Sequence, residues 1–289
     1  MYLLIGHPAD RCCQLVGESL RAAGYDALTT GAPLAGDVIF SWTLTTGDSR
    51  STLRWRDRAD MSHESLRGVF VRMPGGPADV AGWSLRDRAY VQAETNAALV
   101  AWLRSLPCRV INRPDADLWF RPQRSPGESR ALFERCRLPA LQSLITNDLA
   151  VARRFAVRWN GRADYAPLTS TTRYPLADDS HWAELAKVMA RVPVCLIEPS
   201  VGPPLWATVI GREVIWSARP ELAPDAHARF DDGLRALAAT LDVEWLQVEL
   251  RPGMDGPRCA TLLVYPQIEM YTPAVQTTIA AGIARLLLA

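Results

Sequence analysis

Lysine is almost absent from this chain. Of the 32 lysine and arginine residues, Lys187 is the single lysine, which leaves 31 arginines. Biased genomic base composition accounts for such a ratio without reference to function, because arginine and lysine are distinct cations that often replace each other on surfaces. Any chemistry that requires a lysine therefore depends on Lys187.

Paired cysteines and common cofactor motifs are also missing. The six cysteines are dispersed and include no Cys-x-x-Cys pair, which excludes the usual zinc spacings. A chain of 289 residues does not need a disulfide framework, so we expect buried free thiols and a reducing, cytoplasmic location. There is no GxGxxG, GxxxxGK[ST] or GxSxG motif to indicate a dinucleotide, P-loop or hydrolase site.

Long apolar runs and an excess of one charge are lacking as well. No run approaches the roughly 20 apolar residues that a membrane-spanning helix needs, so we expect no membrane partner. The net charge of +1 provides no electrostatic footprint for nucleic acid. The first six residues have no basic residue before their apolar stretch, so we expect no secretory signal.

Strands and helices alternate in the first part of the chain. Apolar stretches predict strands at 2–6, 69–72 and 108–112, and helical spacing predicts helices at 11–23 and 86–105. Additional short strands are predicted at 27–28, 38–40 and 51–56. This alternation predicts an α/β layer with parallel strand pairing.

A polar, proline-containing stretch at 113–129 predicts a domain boundary, with one domain at 1–114 and another at 115–289. We predict helices in the second part at 129–137, 149–156, 181–191, 225–241 and 273–288. We predict strands at 143–146, 194–198, 205–210, 213–218, 245–250 and 259–264. The strands at 194–198, 205–210 and 213–218 look antiparallel, the last two joined by Gly211-Arg212. The fold class is α/β (α+β).

Four segments together resemble the ATP-grasp fold. They are an opening strand and turn at 2–8, a strand ending in arginine and proline at 68–74, a strand leading into Asn-Arg-Pro at 106–114, and the segment 138–148. The sequence is most similar to ligases that cross-link microviridin-type peptides, relatives of the ribosomal-protein glutamate ligase. The resemblance implies an N-terminal parallel α/β lobe and a two-part ATP-grasp lobe with antiparallel sheets. It places a small insert at about 138–198.

The resemblance also implies a reaction, and this sequence departs from the residues that the reaction uses. In that family ATP phosphorylates a carboxylate, and the phosphates and Mg²⁺ need cationic groups and oxygen ligands. No lysine lies at 125–128, where the first is expected. The other departures are Ala166 for the second lysine, Trp206 for an arginine, Glu249 for the metal-binding aspartate, and Leu263 and Tyr265 for two oxygen ligands.

One hypothesis is an ATP-grasp-like protein that has lost its nucleotide and metal chemistry. It would bind a peptide or a protein, as a component of ribosomal peptide natural-product biosynthesis, and would act alone, as a homodimer or with an active paralogue. In the family the insert grips the precursor peptide. Here the insert contains four arginines, Arg153, Arg154, Arg158 and Arg162. They form either a basic cluster that pairs with an acidic peptide or a solvated arginine face without a binding role.

The alternative is an active ATP- and Mg²⁺-dependent carboxylate–amine ligase with an altered nucleotide site. Arg158 and Arg162 would then bind phosphates, and Glu198 would face the adenine. Glu249 would hold the metal, helped by Glu269 or Asp255.

A third hypothesis is that the protein is an unrelated enzyme that acts on a small molecule. Arg72, Asn112 and Arg113 lie at the ends of predicted parallel strands and would be its polar groups. A cleft filled by Trp206, Leu263 and Tyr265 would favour loss of chemistry, whereas an open cleft lined by Arg158, Glu198 and Glu249 would favour the ligase.

Overall fold

The structure is a computed structural model that describes residues 1–31, 33–34, 38–56, 60–72, 82–120, 124–200, 202–220, 222–253 and 256–289. The chain divides into two compact units. Unit 1 is Met1–Arg121, Asp242–Trp245 and Gln267–Ala289, and unit 2 is Pro122–Leu241 and Leu246–Pro266. Neither unit is continuous in sequence. The continuous domains at 1–114 and 115–289, with a small insert at about 138–198, stay predictions.

The elements are numbered in chain order. The strands are β1 (Tyr2–Ile5), β2 (Ala27–Thr30), β3 (Val38–Thr45), β4 (Asp48–Trp55), β5 (Met61–Ser62), β6 (Gly68–Val71), β7 (Arg109–Ile111), β8 (Ser143–Thr146), β9 (Ala163–Ala166), β10 (Tyr174–Leu176), β11 (Val194–Ile197), β12 (Leu205–Ile210), β13 (Glu213–Trp216), β14 (Trp245–Gly253) and β15 (Gly256–Leu263). The helices are α1 (Arg11–Ala22), α2 (Leu85–Ser105), α3 (Ala116–Phe120), α4 (Pro126–Arg135), α5 (Leu149–Val157), α6 (Asp179–Met189), α7 (Pro224–Thr240) and α8 (Pro273–Leu288). Short 3₁₀ helices lie at His63–Ser65 and Ile268–Met270.

A parallel sheet with strand order β2-β1-β6-β7 is the centre of unit 1. All four residues of β1 and of β6 are buried, as expected for parallel strands that are covered on both faces. The Asp10 side chain begins α1 by accepting a hydrogen bond from the Cys13 amide at 2.9 Å. Helix α8 packs against α1. The predicted parallel α/β layer is therefore confirmed.

A second, antiparallel sheet of unit 1 has the order β3-β4-β5. Gly47, with a φ of 83°, makes the tight turn between β3 and β4. The Trp102 ring of α2 contacts Phe40 edge-on, and its Nε1 donates to Ser51 Oγ at 2.8 Å. The buried indole therefore has both its apolar area and its polar atom satisfied.

Unit 2 contains two antiparallel sheets, ordered β10-β9-β11-β8 and β13-β12-β14-β15. The predicted hairpin of 205–210 and 213–218 forms. The strand predicted at 194–198 also forms, but it lies in the other sheet. Pro199, Pro203 and Pro204 follow it and have no amide hydrogen, so this segment cannot continue a hydrogen-bonded ladder into β12.

The predicted antiparallel sheets of the second part are therefore confirmed. Helices α4 to α8 lie within a few residues of their predicted positions, because each has a regular apolar face and a clear start. Among the helices that the structure describes, none has the length and hydropathy to cross a membrane.

Candidate functional site

A cavity of about 720 Å³ in unit 2 contains three of the residues singled out in the sequence. Arg158, Arg162 and Glu198 all line it, together with the last two residues of β14. Its size lies within the roughly 300–1,000 Å³ range of small-molecule sites. The structure thus brings the predicted nucleotide-binding residues to one place.

Helix α5 and the turn after it position the two arginines. The Asp148 carboxylate accepts hydrogen bonds from the amides of Ala150 and Val151, at 2.8 and 3.1 Å, and so begins the helix. At the other end, Asn160 and Gly161 have φ values of 57° and 77°, which return the chain to β9. Arg158 and Arg162 flank this turn, and both are exposed.

The Glu198 carboxylate is buried and already occupied. Arg258 Nη1 donates to its two oxygens at 3.2 and 3.0 Å, and the Gln142 amide donates at 3.1 Å. Arg158 Nη1 in turn donates to Gln142 Oε1 at 3.1 Å. The network fixes Glu198 as an acceptor for an internal arginine.

The Glu249 carboxylate is engaged in a similar way, by two arginines and a hydroxyl. Arg251 Nε donates to it at 2.5 Å, Arg173 Nη2 at 3.4 Å and Thr261 Oγ1 at 2.7 Å. Thr261 Oγ1 also accepts from Arg173 Nη2 at 2.9 Å. Side-chain exposure is 9% for Glu249 and 11% for Arg173, so this ion pair is buried.

Burial controls the electrostatics around Arg173. Desolvation lowers the pKa of the Arg173 guanidinium, and the opposite charge of Glu249 works against this shift. Burial also raises the pKa of the Asp164 carboxyl, which Arg173 opposes. The Nη1 atom of Arg173 is buried and has no hydrogen-bond partner within the described part of the chain. The ion pair with Glu249 is therefore what offsets the burial of this charge.

The residues do not fit a Mg²⁺ site. The carboxylate of Glu249 is shared by Arg173 and Arg251, and Asp255 lies outside the described residues. Glu269 is exposed in a short 3₁₀ helix. In the parts of the chain that the structure describes, no three His, Cys, Asp or Glu side chains gather as metal ligands. A hard dication prefers several such oxygens.

The cavity meets neither condition set out from the sequence in full, a cleft filled by three side chains or an open cleft that includes Glu249. Trp206, Leu263 and Tyr265 are half-buried, and they are not among the described residues that line the cavity. Glu249 is not among those residues either. Ala166, at the expected lysine position, is buried in β9. The described lining of the cavity therefore includes none of these side chains and no lysine.

The basic cluster of the insert is exposed. Arg153 Nη1 pairs with Asp179 at 3.0 Å, and the Arg153 guanidinium lies 4.6 Å from the centre of the Trp182 ring. Arg154 is exposed on the same helix. With Arg158 and Arg162, these side chains present four guanidinium groups on and just after α5.

The polar groups singled out in unit 1 have structural contacts. The Asn112 side chain donates to Trp245 O at 2.6 Å and accepts from the amides of Glu244 and Trp245 at 3.0 and 2.9 Å. Arg72 pairs with Asp10 at 3.2 Å, and its guanidinium lies 5.2 Å from the centre of the Trp245 ring. These groups belong to unit 1, and the arginines of the insert belong to unit 2.

Arg113 donates hydrogen bonds to backbone carbonyl groups at the end of α2. Its Nη1 donates to the carbonyls of Leu103, Arg104 and Leu106 at 2.8, 3.0 and 3.0 Å, and its Nη2 donates to Cys108 O at 2.8 Å. A planar guanidinium can reach several carbonyl groups at once, which the end of a helix leaves without partners.

Sequence reasoning missed the arginines that occupy the two carboxylates. Arg251 follows Glu249 by two residues on a strand, a spacing that places both side chains on one face. Thr261 lies opposite Glu249 in the β14–β15 pair only because the register shifts between Glu249 and Leu250, which the hairpin pattern does not indicate. Arg173 lies outside a strand and 76 residues away from Glu249, so no local signal indicates it.

No family model matches the sequence, and no curated protein matches it. The fold, in contrast, matches several solved structures. The macrocyclase MdnC of Microcystis aeruginosa, bound with precursor peptide MdnA, superposes with a TM-score of 0.79 at 14% identity, covering 100% of this chain and 99% of that one. A RiPP-associated ATP-grasp ligase of Chryseobacterium gregarium, in complex with ADP and a leader and core peptide, gives 0.77 at 16%, with 99% and 96% covered.

A RimK domain ATP-grasp protein of Sphaerobacter thermophilus gives a TM-score of 0.58 at 15% identity, with 100% and 99% of the chains covered. At these identities the likeness establishes the fold alone. The resemblance read from the four sequence segments is confirmed at that level. This chain has the ATP-grasp fold, with a macrocyclase, a RiPP-associated ATP-grasp ligase and a RimK domain protein among its structural neighbours.

Proposed function

We propose that this protein binds a peptide or protein partner and has lost the ATP- and Mg²⁺-dependent ligation associated with its fold. One observation carries the proposal: the Glu249 carboxylate, which the resemblance assigns to the metal, is held by Arg173 and Arg251. Guanidinium groups and Mg²⁺ would compete for the same oxygens, and the guanidinium groups are part of the folded chain. Glu249 is here the counter-ion of two arginines.

The position of the single lysine supports this proposal. Lys187 is exposed on α6 and pairs with Glu184 at 2.6 Å. It is not among the residues lining the cavity that contains Arg158, Arg162 and Glu198. A lysine that binds a phosphate would have to face that cavity, so none of the family's lysines has a counterpart in the site.

The peptide partner is supported by the exposed arginines of the insert and by the neighbours. Two of the similar structures were determined with precursor, leader or core peptides bound. An acidic segment of such a peptide would pair with Arg153, Arg154, Arg158 and Arg162. The protein would then act in the cytoplasm, in ribosomal peptide biosynthesis, alone, as a homodimer or beside an active paralogue.

A second candidate, an active ligase with an altered nucleotide site, is favoured by the cavity itself. Its volume of about 720 Å³ is open, and Arg158 and Arg162 at its wall are groups that bind phosphate. In that case Glu198 would face the adenine, and Glu249 would have to exchange its arginines for Mg²⁺.

Calorimetric titration with ATP and a non-hydrolysable analogue, with and without Mg²⁺, separates the two candidates. Loss of chemistry predicts no Mg²⁺-dependent heat at nucleotide concentrations up to about 1 mM, which corresponds to about −4 kcal/mol. Mg²⁺-dependent binding tighter than this contradicts the proposal. The variant Glu249→Gln then identifies the site, because it would abolish that heat, whereas Glu184→Gln on the surface of α6 would not.

The peptide part has its own test. A labelled hexapeptide that alternates glutamate with serine is titrated against the protein and the variant Arg153→Gln/Arg154→Gln. We expect the double variant to bind at least about fivefold more weakly, because two facing charges are removed. The matched control is Arg104→Gln, an exposed arginine of α2 in unit 1. Equal binding by the double variant and the control contradicts an acidic-peptide site on the insert.

A further inference from the structure

A second cavity, of about 610 Å³, lies in unit 2 between the end of α4 and the side of α7. It shares no lining residue with the cavity of Arg158, Arg162 and Glu198. Helix α7 contributes Ala226, Arg229, Phe230, Gly233 and Ala236, which recur every three or four residues on one face. We call this cavity the α4–α7 groove.

The floor of the groove is apolar and closely packed. Phe230 is buried, and Leu222, Pro139 and Pro257 line the groove beside it. A Cβ atom on Gly233 would lie 2.7 Å from Leu138 Cδ2, so glycine allows α7 to approach the turn after α4. The stretch of α7 from Ala226 to Ala236 is about 15 Å long at 1.5 Å per residue.

Two arginines at one side of the groove carry unbalanced charge. Arg135 and Arg137 line it and are exposed, and the described part of the chain holds no ion-pair partner for either guanidinium. The other charged residues of the groove are paired within α7: Arg229 with Asp225 at 3.0 Å and Asp232 with Arg235 at 2.8 Å. The groove therefore has an apolar floor and a net positive side.

Arg137 is in a conformation that favours glycine. Its φ is 58°, and it follows the C-cap Cys136 in a turn closed by Arg137 N to Glu134 O at 3.0 Å and Leu138 N to Phe133 O at 2.9 Å. Glycine is the usual residue at this position of a helix end, because it has no Cβ. The chain places a guanidinium here at a conformational cost, which is a pattern of functional positions.

We propose that the α4–α7 groove binds an acidic peptide segment with apolar side chains. Carboxylates would pair with Arg135 and Arg137, and apolar side chains would lie over Phe230 and its neighbours. A groove of about 15 Å accommodates four or five residues of an extended chain at about 3.3 Å each, which suits a peptide better than a compact anion. This site goes beyond the proposed function, since it uses neither the insert arginines nor the nucleotide cavity.

The test uses a rhodamine-labelled hexapeptide that alternates glutamate with leucine, followed by fluorescence anisotropy. We expect this peptide to bind at least about tenfold more tightly than the matched glutamine–leucine peptide, and more weakly as salt screens the charges. Arg137→Gly and Arg135→Gln are each expected to weaken binding at least about threefold. Arg104→Gln is the control and should bind as the unchanged protein does.

Arg137→Gly separates binding from folding, because it should unfold at the same or a higher temperature while it binds less peptide. Equal affinity for the glutamine–leucine peptide, or unchanged binding by Arg135→Gln and Arg137→Gly, overturns the proposal. So does displacement of the peptide by an equal concentration of inorganic phosphate. A loss of binding only in Arg153→Gln/Arg154→Gln would also overturn it, and would place the peptide on the insert.

Discussion

At the scale of single residues, the carboxylate of Glu249 is buried among its hydrogen-bond donors. It accepts from Arg251, Arg173 and Thr261, and its side chain is 9% exposed. A buried ion pair contributes little over an apolar pair of the same shape, but removing one partner leaves the other charge uncompensated.

We therefore expect Glu249→Gln to lower the free energy of unfolding by about 3 kcal/mol, since it leaves Arg173 buried without its counter-ion. Urea denaturation followed by tryptophan fluorescence measures this change. Glu184→Gln is the matched control: it removes an exposed ion pair with Lys187, and we expect a change below about 0.5 kcal/mol. Similar losses in the two variants would show that the Glu249 pair does not hold Arg173.

Asp164 gives a prediction about pH. Burial raises the pKa of its carboxyl above the ordinary value of 3.8, so the folded state binds this proton more tightly than the unfolded state. The contribution of the residue to stability is therefore complete below pH 3.8 and is lost as the pH rises through the folded-state pKa.

Asp164→Asn removes this titration, so we expect the variant to be more stable than the unchanged protein at pH 7. The difference should shrink as the pH is lowered towards 4, which is near the ordinary pKa of an aspartate. Melting temperatures measured between pH 4 and pH 7 test this. A variant that is less stable at pH 7 would mean that the attraction to Arg173 outweighs the burial of the charge.

The sequence predicted part of the site at this scale. Arg158, Arg162 and Glu198, which the ligase alternative names, line one cavity, and their role stays a prediction. Arg258 and Arg173, which occupy Glu198 and Glu249, could not be predicted because long-range pairing of side chains leaves no local pattern. An absence in the sequence was more informative, since a single lysine cannot occupy both lysine positions of the family that the sequence resembles.

At the scale of elements, regular periodicity decides what a sequence reveals. Helices α1, α2, α7 and α8 follow their predicted ranges within one or two residues, because caps or prolines mark their starts. The sheet to which β11 belongs was not predictable from its own residues. It depends on pairing with β8 and β9, which are distant in sequence.

The end of α2 depends on Arg113, whose guanidinium donates to four carbonyls. We expect Arg113→Ala to lower the free energy of unfolding by about 1–3 kcal/mol, because carbonyl groups of the helix end lose their donors. Arg113→Lys keeps the charge but not the planar group, so it should recover less than half of the loss. Urea unfolding of both variants provides the measurement. Full recovery by lysine would indicate that charge, and not geometry, stabilises this helix end.

At the scale of the whole molecule, the contact between α8 and α1 brings the two ends of unit 1 together. Helix α8 packs against α1, more than 250 positions earlier in the sequence. Sequence patterns predicted both helices but not their contact, because the apolar face of a helix does not identify its partner. The same limit applies to Asp242–Trp245, which joins unit 1 from within the second half of the chain.

This contact predicts that α8 stabilises the start of the chain. Ile283 is fully buried on α8, and we expect Ile283→Ala to lower the free energy of unfolding by about 2–4 kcal/mol through the cavity it leaves. Leu288→Ala, on the exposed end of the same helix, should cost less than about 1 kcal/mol. Equal costs measured by urea denaturation would show that α8 is not part of the core of unit 1.

The isolated Lys187 on α6 has a practical consequence. The amino groups of this chain are those of Lys187 and of the N-terminus, and burial lowers the pKa of the N-terminal amine. A lower pKa leaves more of the terminal amine unprotonated near neutral pH, and Lys187 is the single side-chain amine that an amine-selective dye could label. Conjugation at Lys187 places a reporter on α6, beside the insert arginines and without an engineered cysteine. Because the chain has a single lysine, a dye on Lys187 can report peptide binding at the insert.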